Sequence, residues 1–209
     1  MYYRFMTIKA INKRIIKRLL DLVLSIVLLL ILAIPMCIIA FLIKLESEGP
    51  VLFKQKRIGK GGAPFLLFKF RSMSIGNKET ASFHKKENIT TVGRFIRKWR
   101  IDEIPQLLNV LKGEMSIVGP RPTLPYQVSR YDSRQRKRLD MKPGITGWAQ
   151  IHGYKAISWP QKIEYDIWYI ENWSIMLDLR ILIRTPFALI KIKNINVEEG
   201  PPPDEISRA

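Results

Sequence analysis

Asp102 and Glu103 are adjacent carboxylates in a neighbourhood of cations. Arg94, Arg97, Lys98 and Arg100 precede them, and Lys112 and Arg121 follow. Two chemistries suit such a pair. An Asp before a helix can cap its first N–H groups while a following Glu complements the dipole. Alternatively, one carboxylate is a nucleophile, its neighbour binds a divalent cation, and the arginines hold phosphate. Chemistry at phosphorus needs all three components, because charge develops on oxygens that must be met by fixed cations.

The pair must be positioned by its flanks. Pro105 has no N–H to donate and fits only the first turn of a helix. A helix is therefore expected from near Asp102 to Lys112, ended by Gly113. Ile104, Leu107, Leu108 and Leu111 form its apolar side at helical spacing. A strand-like Ser116-Ile117-Val118 follows, then a rigid Gly119-Pro120-Arg121-Pro122 turn. Upstream, 51–56 and 65–70 read as two strands of a hairpin around Gly59-Lys60-Gly61-Gly62. Lys56, Arg57, Lys69 and Arg71 line that hairpin, either as a solvated basic face or against lipid headgroups. The 76–88 stretch reads as a polar surface loop carrying His84. The 91–100 segment reads as a short amphipathic helix with Phe95, Ile96 and Trp99 inward and Arg94, Lys98 and Arg100 on its outer face.

Beyond the proline-rich turn, 126–140 reads as a polar helix rich in arginine, with too few interleaved aromatics for a nucleic-acid surface. Glycines crowd 143–153, as expected where backbone approaches a ligand closely. The 158–173 segment reads as a helix with Ser158 as cap, Pro160 in the first turn, and Ile163, Ile167 and Ile170 as its apolar stripe. Asp166 lies in this helix. The 174–193 stretch is apolar but interrupted by Asp178, Arg180, Arg184 and Lys191. It suits a helix lying on a membrane surface, or equally an ordinary core helix.

The chain has 209 residues and a formal charge of +17, from 35 Lys+Arg against 18 Asp+Glu. One catalytic domain is expected, with an anionic partner: nucleic acid, an anionic membrane or a phosphorylated substrate. The single cysteine, Cys37, excludes an intrachain disulfide and reads as a buried small hydrophobe. Residues 22–43 hold no charge, about enough to cross a bilayer core. Pro35 lies within this run, and both flanks are basic. Since basic flanks favour the same, cytoplasmic side, a helix-break-helix that enters and returns is expected over a straight span. Asp21, at its start, can pair with Arg18 or a backbone group. The expected organisation is a basic segment 1–14, a membrane hairpin 15–48, a catalytic domain 49–196 with an interfacial helix near 174–193, and a loose tail 197–209.

The run from Ile101 to Pro122 resembles the bacterial sugar transferase family, the monotopic phosphoglycosyl transferases. So do Phe68-Lys69-Phe70-Arg71-Ser72-Met73 and the stretch from Lys142 to Gln150. The likeness covers about Lys17 to Lys193, and three long motifs in order make it specific. It implies a helix-rich α+β monotopic membrane protein with a small β-hairpin and a re-entrant membrane helix. It implies transfer of a sugar 1-phosphate from a UDP-sugar to polyprenyl phosphate, with Mg²⁺ as cofactor, at the cytoplasmic face of the inner membrane. By resemblance Asp102 is the nucleophile that becomes a phosphosugar ester and Glu103 binds the metal. Arg97 and Arg121 hold phosphate, with Lys69, Arg71, Asp166 and Lys155 as further substrate contacts; Asp166 serves equally well as an arginine's partner. Three positions depart from the family pattern: Ile34 stands where Ser usually precedes the breaking proline, and Tyr154-Lys155 where Arg-Asn is usual. The expected partners are the UDP-sugar, the polyprenyl phosphate and membrane lipids, without nucleic acid; a homo-oligomer is compatible. The rival is a membrane-tethered binding protein for nucleic acid or anionic lipid, which explains the charge but not the acid pair.

Overall fold

A 45-residue helix, α1 (Tyr2–Glu46), leads into everything else. The computed structural model describes residues 2–74, 88–153 and 157–192. The expected 76–88 loop with His84, Lys155 and the 197–209 tail thus lie wholly or almost wholly outside the described residues. The other elements are β1 (Leu52–Ile58), β2 (Pro64–Phe70), α2 (Thr91–Lys98), α3 (Gln106–Lys112) and β3 (Ser116–Val118). They continue with α4 (Pro125–Val128), β4 (Gly144–Thr146), α5 (Trp148–Ile151), α6 (Trp159–Glu171) and α7 (Ile175–Ile192). Short 3₁₀ turns occupy Lys60–Gly62, Ile101–Glu103 and Gln135–Asp140. The fold is helix-rich α+β, as expected.

β1 and β2 form the antiparallel hairpin, with Phe53 opposite Lys69 and Ile58 opposite Pro64. β3 pairs with β4 in parallel, Ser116 against Gly144 and Val118 against Thr146. This second ladder is possible because its turn is built of glycines. A Cβ on Gly144 would lie 2.1 Å from the Gly119 nitrogen, and one on Gly147 would lie 2.2 Å from the Gly119 oxygen. The glycines of 143–153 were expected to approach a ligand. Gly144 and Gly147 instead approach the backbone of Gly119 and so seat the turn that carries Arg121.

The main core gathers Phe65 and Leu67 of β2, Leu107 and Val110 of α3, Ile117 and Val118 of β3, Tyr169 of α6, and Leu177 and Ile181 of α7. In α2 the expected inward set is only partly inward. Ile96 is fully buried, but Phe95 and Trp99 are exposed, because a two-turn helix presents just one narrow stripe to its neighbours. The expected polar helix over 126–140 is two short pieces, α4 and the Gln135–Asp140 turn, separated by non-helical residues. α6 starts as expected: the Ser158 hydroxyl accepts from the Gln161 N–H, and Gln161 reaches back to the Ser158 N–H.

α1 is the one helix among the described residues long and apolar enough to cross a membrane. It was expected to break at Pro35, but it runs on as continuous helix through that residue. One proline removes a single N–H, and about 3 kcal/mol is tolerable in a helix with so many other bonds and a docked flank. Docking is the more informative feature. Just before its apolar stretch, Arg18 donates to the Val110 and Leu111 carbonyls at the end of α3, at 2.6 and 2.9 Å. Asp21 accepts from the Ser116 hydroxyl and the Ile117 N–H. Lys17 pairs with Asp178 of α7 at 2.7 Å. At the far end Ile43 packs with Phe70 and Ile96, and the Glu46 carboxylate accepts from the Thr91 and Val92 N–H groups that open α2. Between them Leu24 and Leu29 rest on the main core, and Met36, Ile39 and Ala40 on the Phe70–Ile96 cluster. The stripe through 21, 25, 29, 36, 40 and 43 has helical spacing, so α1 lies along the body. Its other face is bare: Leu30, Ile31, Ile34 and Phe41 are exposed, and so is Cys37, which was expected to be buried. α7 behaves likewise. It sends Leu177 and Ile181 inward, as a core helix does, and leaves Met176, Ile183, Phe187 and Ile190 exposed.

Candidate active site

Asp102 and Glu103 sit in the 3₁₀ turn Ile101–Glu103, one turn ahead of α3 rather than inside its first turn. Pro105, rather than Asp102, occupies the N-cap of α3. Both acids are buried, at 8% and 6% exposure. Burying a carboxylate is costly unless cations and hydrogen bonds replace its water.

For Glu103, three cations from three elements do so. Arg121 approaches with Nη2 at 2.8 Å and Nη1 at 3.5 Å. Lys69 of β2 brings Nζ to 3.2 Å, and Arg100 brings Nη1 to 3.5 Å. Burial by itself would raise the Glu103 carboxyl, but the charges of Arg121, Lys69 and Arg100 outweigh it and hold the group well below the usual carboxylate range. Glu103 is therefore ionised throughout the physiological range.

Each cation is held by backbone that packing dictates. Lys69 is aimed by Asn109, a fully buried residue of α3 that locks onto β2. Its amide donates to the Leu66 carbonyl at 2.7 Å and accepts from the Phe68 N–H at 3.0 Å, while Glu114 holds the same amide nitrogen at 2.7 Å. Lys69 is the next residue along the strand. Arg121 follows the Gly119–Pro120 turn, and Arg57 of β1 steadies it from behind by donating to the Pro122 carbonyl at 3.1 Å. Arg100 stands just past α2 at φ 55°, ψ 22°. It is the one non-glycine residue with positive φ among those described. A glycine usually takes this position after a helix. Helical periodicity alone places Arg100 on an outer basic face, because it cannot see that the chain turns left-handed there.

The remaining expected site residues are placed elsewhere. Arg71 is buried, and its guanidinium donates to the Ser47 and Glu48 carbonyls at 2.6 and 2.5 Å, just past the end of α1. Arg97 has an exposed side chain and pairs with neither acid among the described residues. Asp166 is buried against Arg138, which donates Nε at 3.0 Å and Nη2 at 2.5 Å to one carboxylate oxygen. Burial raises the Asp166 carboxyl and Arg138 pulls it back only in part. Arg138 also contacts the Tyr131 hydroxyl and lies over the Tyr131 and Trp159 rings. This pair is not remote, because Arg138 and Arg121 line the same small cavity beside Pro120.

No group of three or more His, Cys, Asp or Glu side chains gathers among the described residues. A hard cation would thus have at most the two adjacent carboxylates, completed by water and substrate phosphate. That donor set fits Mg²⁺, which binds through one or two carboxylates and keeps other positions for phosphate oxygens. It does not suit Zn²⁺, for which imidazole or thiolate ligands are the rule.

The sequence profile of the bacterial sugar transferases matches residues 12–192, nearly the whole of the described chain. This chain belongs to the bacterial sugar transferase family. The sugar transferase EpsL of Bacillus subtilis, itself called uncharacterized, is 48% identical to this transferase over 160 residues, 76% of either chain. The UDP-N-acetylgalactosamine-undecaprenyl-phosphate N-acetylgalactosaminephosphotransferase of Aeromonas hydrophila is 45% identical over 159 residues, 72% of this transferase and 38% of that chain. The UDP-glucose:undecaprenyl-phosphate glucose-1-phosphate transferase of Escherichia coli is 41% identical over 165 residues, 73% of this transferase and 35% of that chain. The transferase thus spans little more than a third of the length of these last two relatives.

Proposed function

We propose that this transferase moves a sugar 1-phosphate from a UDP-sugar to a polyprenyl phosphate at the cytoplasmic face of the inner membrane. The observation that carries this is a buried pair of adjacent carboxylates, with Glu103 ringed by Lys69, Arg100 and Arg121, in a body along which an apolar helix lies. Asp102 is the nucleophile. Its carboxylate oxygen forms a bond to the β-phosphorus, the bond from that phosphorus to the bridging oxygen breaks, and UMP departs with the electron pair. The polyprenyl phosphate oxygen then attacks the same phosphorus and Asp102 leaves as a free carboxylate. Arg121, Arg100 and Lys69 hold phosphate oxygens through both steps, where fixed donors are worth more than water. Glu103 would hold Mg²⁺, which when bound neutralises the diphosphate and its leaving group.

The membrane arrangement supports this division of labour. Both ends of the apolar stretch of α1 are tied to one body, by Arg18 and Asp21 at one end and Glu46 at the other. A spanning helix would carry those ends to opposite sides of about 30 Å of hydrocarbon, which a body on one side cannot follow. The exposed apolar faces of α1 and α7 rest in the leaflet, and the acid pair stays within reach of a soluble nucleotide and a lipid phosphate.

Incubating the protein with a UDP-sugar and Mg²⁺, without lipid acceptor, tests the reaction. UMP should appear up to about one equivalent, as expected of a covalent intermediate. Intact mass should rise by one phosphosugar, mapping to the peptide with Asp102. No UMP until polyprenyl phosphate is added would refute the two-step course.

A further inference from the structure

Glu103 already uses both carboxylate oxygens. Oε1 accepts from Arg121 at 2.8 Å and Lys69 at 3.2 Å, and Oε2 from Arg100 and Arg121 at 3.5 Å each. A divalent ion arriving alone would compete with three cations for these lone pairs and would add positive charge where cations already outnumber carboxylates. A diphosphate arriving alone would have to draw the same cations away from Glu103. Together the two resolve each other's difficulty: the cations pass to the phosphate oxygens, and Glu103 is released to the metal. We propose that Glu103 is latched by Arg100, Arg121 and Lys69, and that the divalent ion and the donor's diphosphate therefore bind as one mutually dependent unit. This rests on the donor proposed above.

The arginines are the moving parts. The Arg100 and Arg121 side chains are 19% and 24% exposed, against 12% for Lys69, so they can turn toward an incoming ligand. Arginine's planar fork suits phosphate as well as carboxylate, so the exchange keeps its hydrogen bonds. The left-handed backbone of Arg100 adds an independent sign. Such a conformation in a non-glycine residue persists only where the surroundings impose it, and it clusters at ligand clamps. Here it points the side chain at Glu103 rather than letting it follow the solvent face of α2.

Coupled binding is reciprocal, so it can be read from either ligand. The probes are Mn²⁺, followed by electron paramagnetic resonance of the free ion, and UDP, followed calorimetrically, on the full chain in lipid nanodiscs. With the wild type, UDP should tighten Mn²⁺ binding by about tenfold beyond the Mn²⁺–UDP association in solution, in the usual range of such couplings. Arg100→Gly removes one latch but accepts the left-handed backbone and leaves Arg121 and Lys69 on Glu103, so its thermal midpoint should fall less than that of Glu103→Gln. It should bind Mn²⁺ alone more tightly and UDP alone more weakly, with a smaller coupling. Arg100→Asn also tolerates that backbone and should behave in the same way. A merely structural role for Arg100 would weaken both ligands together or neither. Wild-type Mn²⁺ binding that ignores UDP, or an Arg100→Gly variant that loses both affinities alike, overturns the latch. Single-turnover UMP release from a UDP-sugar on the same preparation separates the two failures: if release occurs without coupling, only the latch falls, and if UDP does not bind and the UDP-sugar yields no UMP, the proposed donor falls with it.

Discussion

Replacing Glu103 with glutamine keeps the shape of the site and removes its central charge. The Glu103 side chain is 7% exposed and faces three cations whose side chains are 12%, 19% and 24% exposed. Removing one partner of a buried ion pair costs about 3–5 kcal/mol, because the desolvated charge left behind has lost its counterion. Arg100 and Arg121 retain enough exposure to turn to water, and the glutamine oxygen can still accept one hydrogen bond, so the low end applies, about 3 kcal/mol. For a protein of this size that corresponds to a fall of roughly 6–12 °C in the thermal midpoint. The sign with pH follows from the lowered pKa of Glu103. Its contribution is fully present above the unfolded value, about 4.3, and is lost as pH falls through the still lower folded value. The gap between wild type and Glu103→Gln should therefore be constant near neutrality and close only in acid. Differential scanning fluorimetry of both proteins in the same nanodiscs, at a fixed scan rate from pH 8 downward, measures this. Without metal the variant's unlatched cations should also bind UDP more tightly than the wild type does. Equal midpoints at neutral pH would mean that Glu103 does not hold these cations together, and the electrostatic account of the site would fail.

Asp102→Asn should fold, since Asp102 lies outside the N-cap of α3 and asparagine keeps its shape, and should release no UMP from a UDP-sugar in a single-turnover assay. Asn109→Leu strands the Phe68 N–H, the Leu66 carbonyl and Glu114; urea unfolding should show a loss of about 3 kcal/mol, together with a weakened UMP burst as Lys69 loses its aim. Gly144→Ala places a Cβ 2.1 Å from the Gly119 nitrogen and forces β3 and β4 apart, so soluble yield and thermal midpoint should both fall, by about 3 kcal/mol or more in stability. Asp178→Asn leaves Lys17 without its 2.7 Å partner and should free the first part of α1 to proteolysis. UMP release from soluble donor should survive that change while transfer to the lipid slows.

Local chemistry made much of this protein legible from its residues. Pro105 and Gly113 bracket α3 because one lacks an N–H and the other accepts a left-handed backbone, and Ser158 opens α6 because its hydroxyl reaches the Gln161 N–H. The hairpin of β1 and β2, the charge-free run in α1 and the acid pair all lie within short stretches where type and spacing suffice. The three long motifs carried the family. The tertiary structure decided which cations meet Glu103. Lys69 and Arg71 are two residues apart and look alike in sequence, yet β2 ends at Phe70. Lys69 is held by the Asn109 lock and turns to Glu103, whereas Arg71 turns to the carbonyls after α1. Arg97 and Arg100 are separated by one helical turn, but α2 stops at Lys98 and a single left-handed residue brings Arg100 inward. Whether an apolar helix departs from its domain or lies along it is likewise not a property of its composition. It depends on contacts such as Arg18 to α3 and Glu46 to α2, between groups dozens of residues apart that only the folded chain brings within hydrogen-bonding distance.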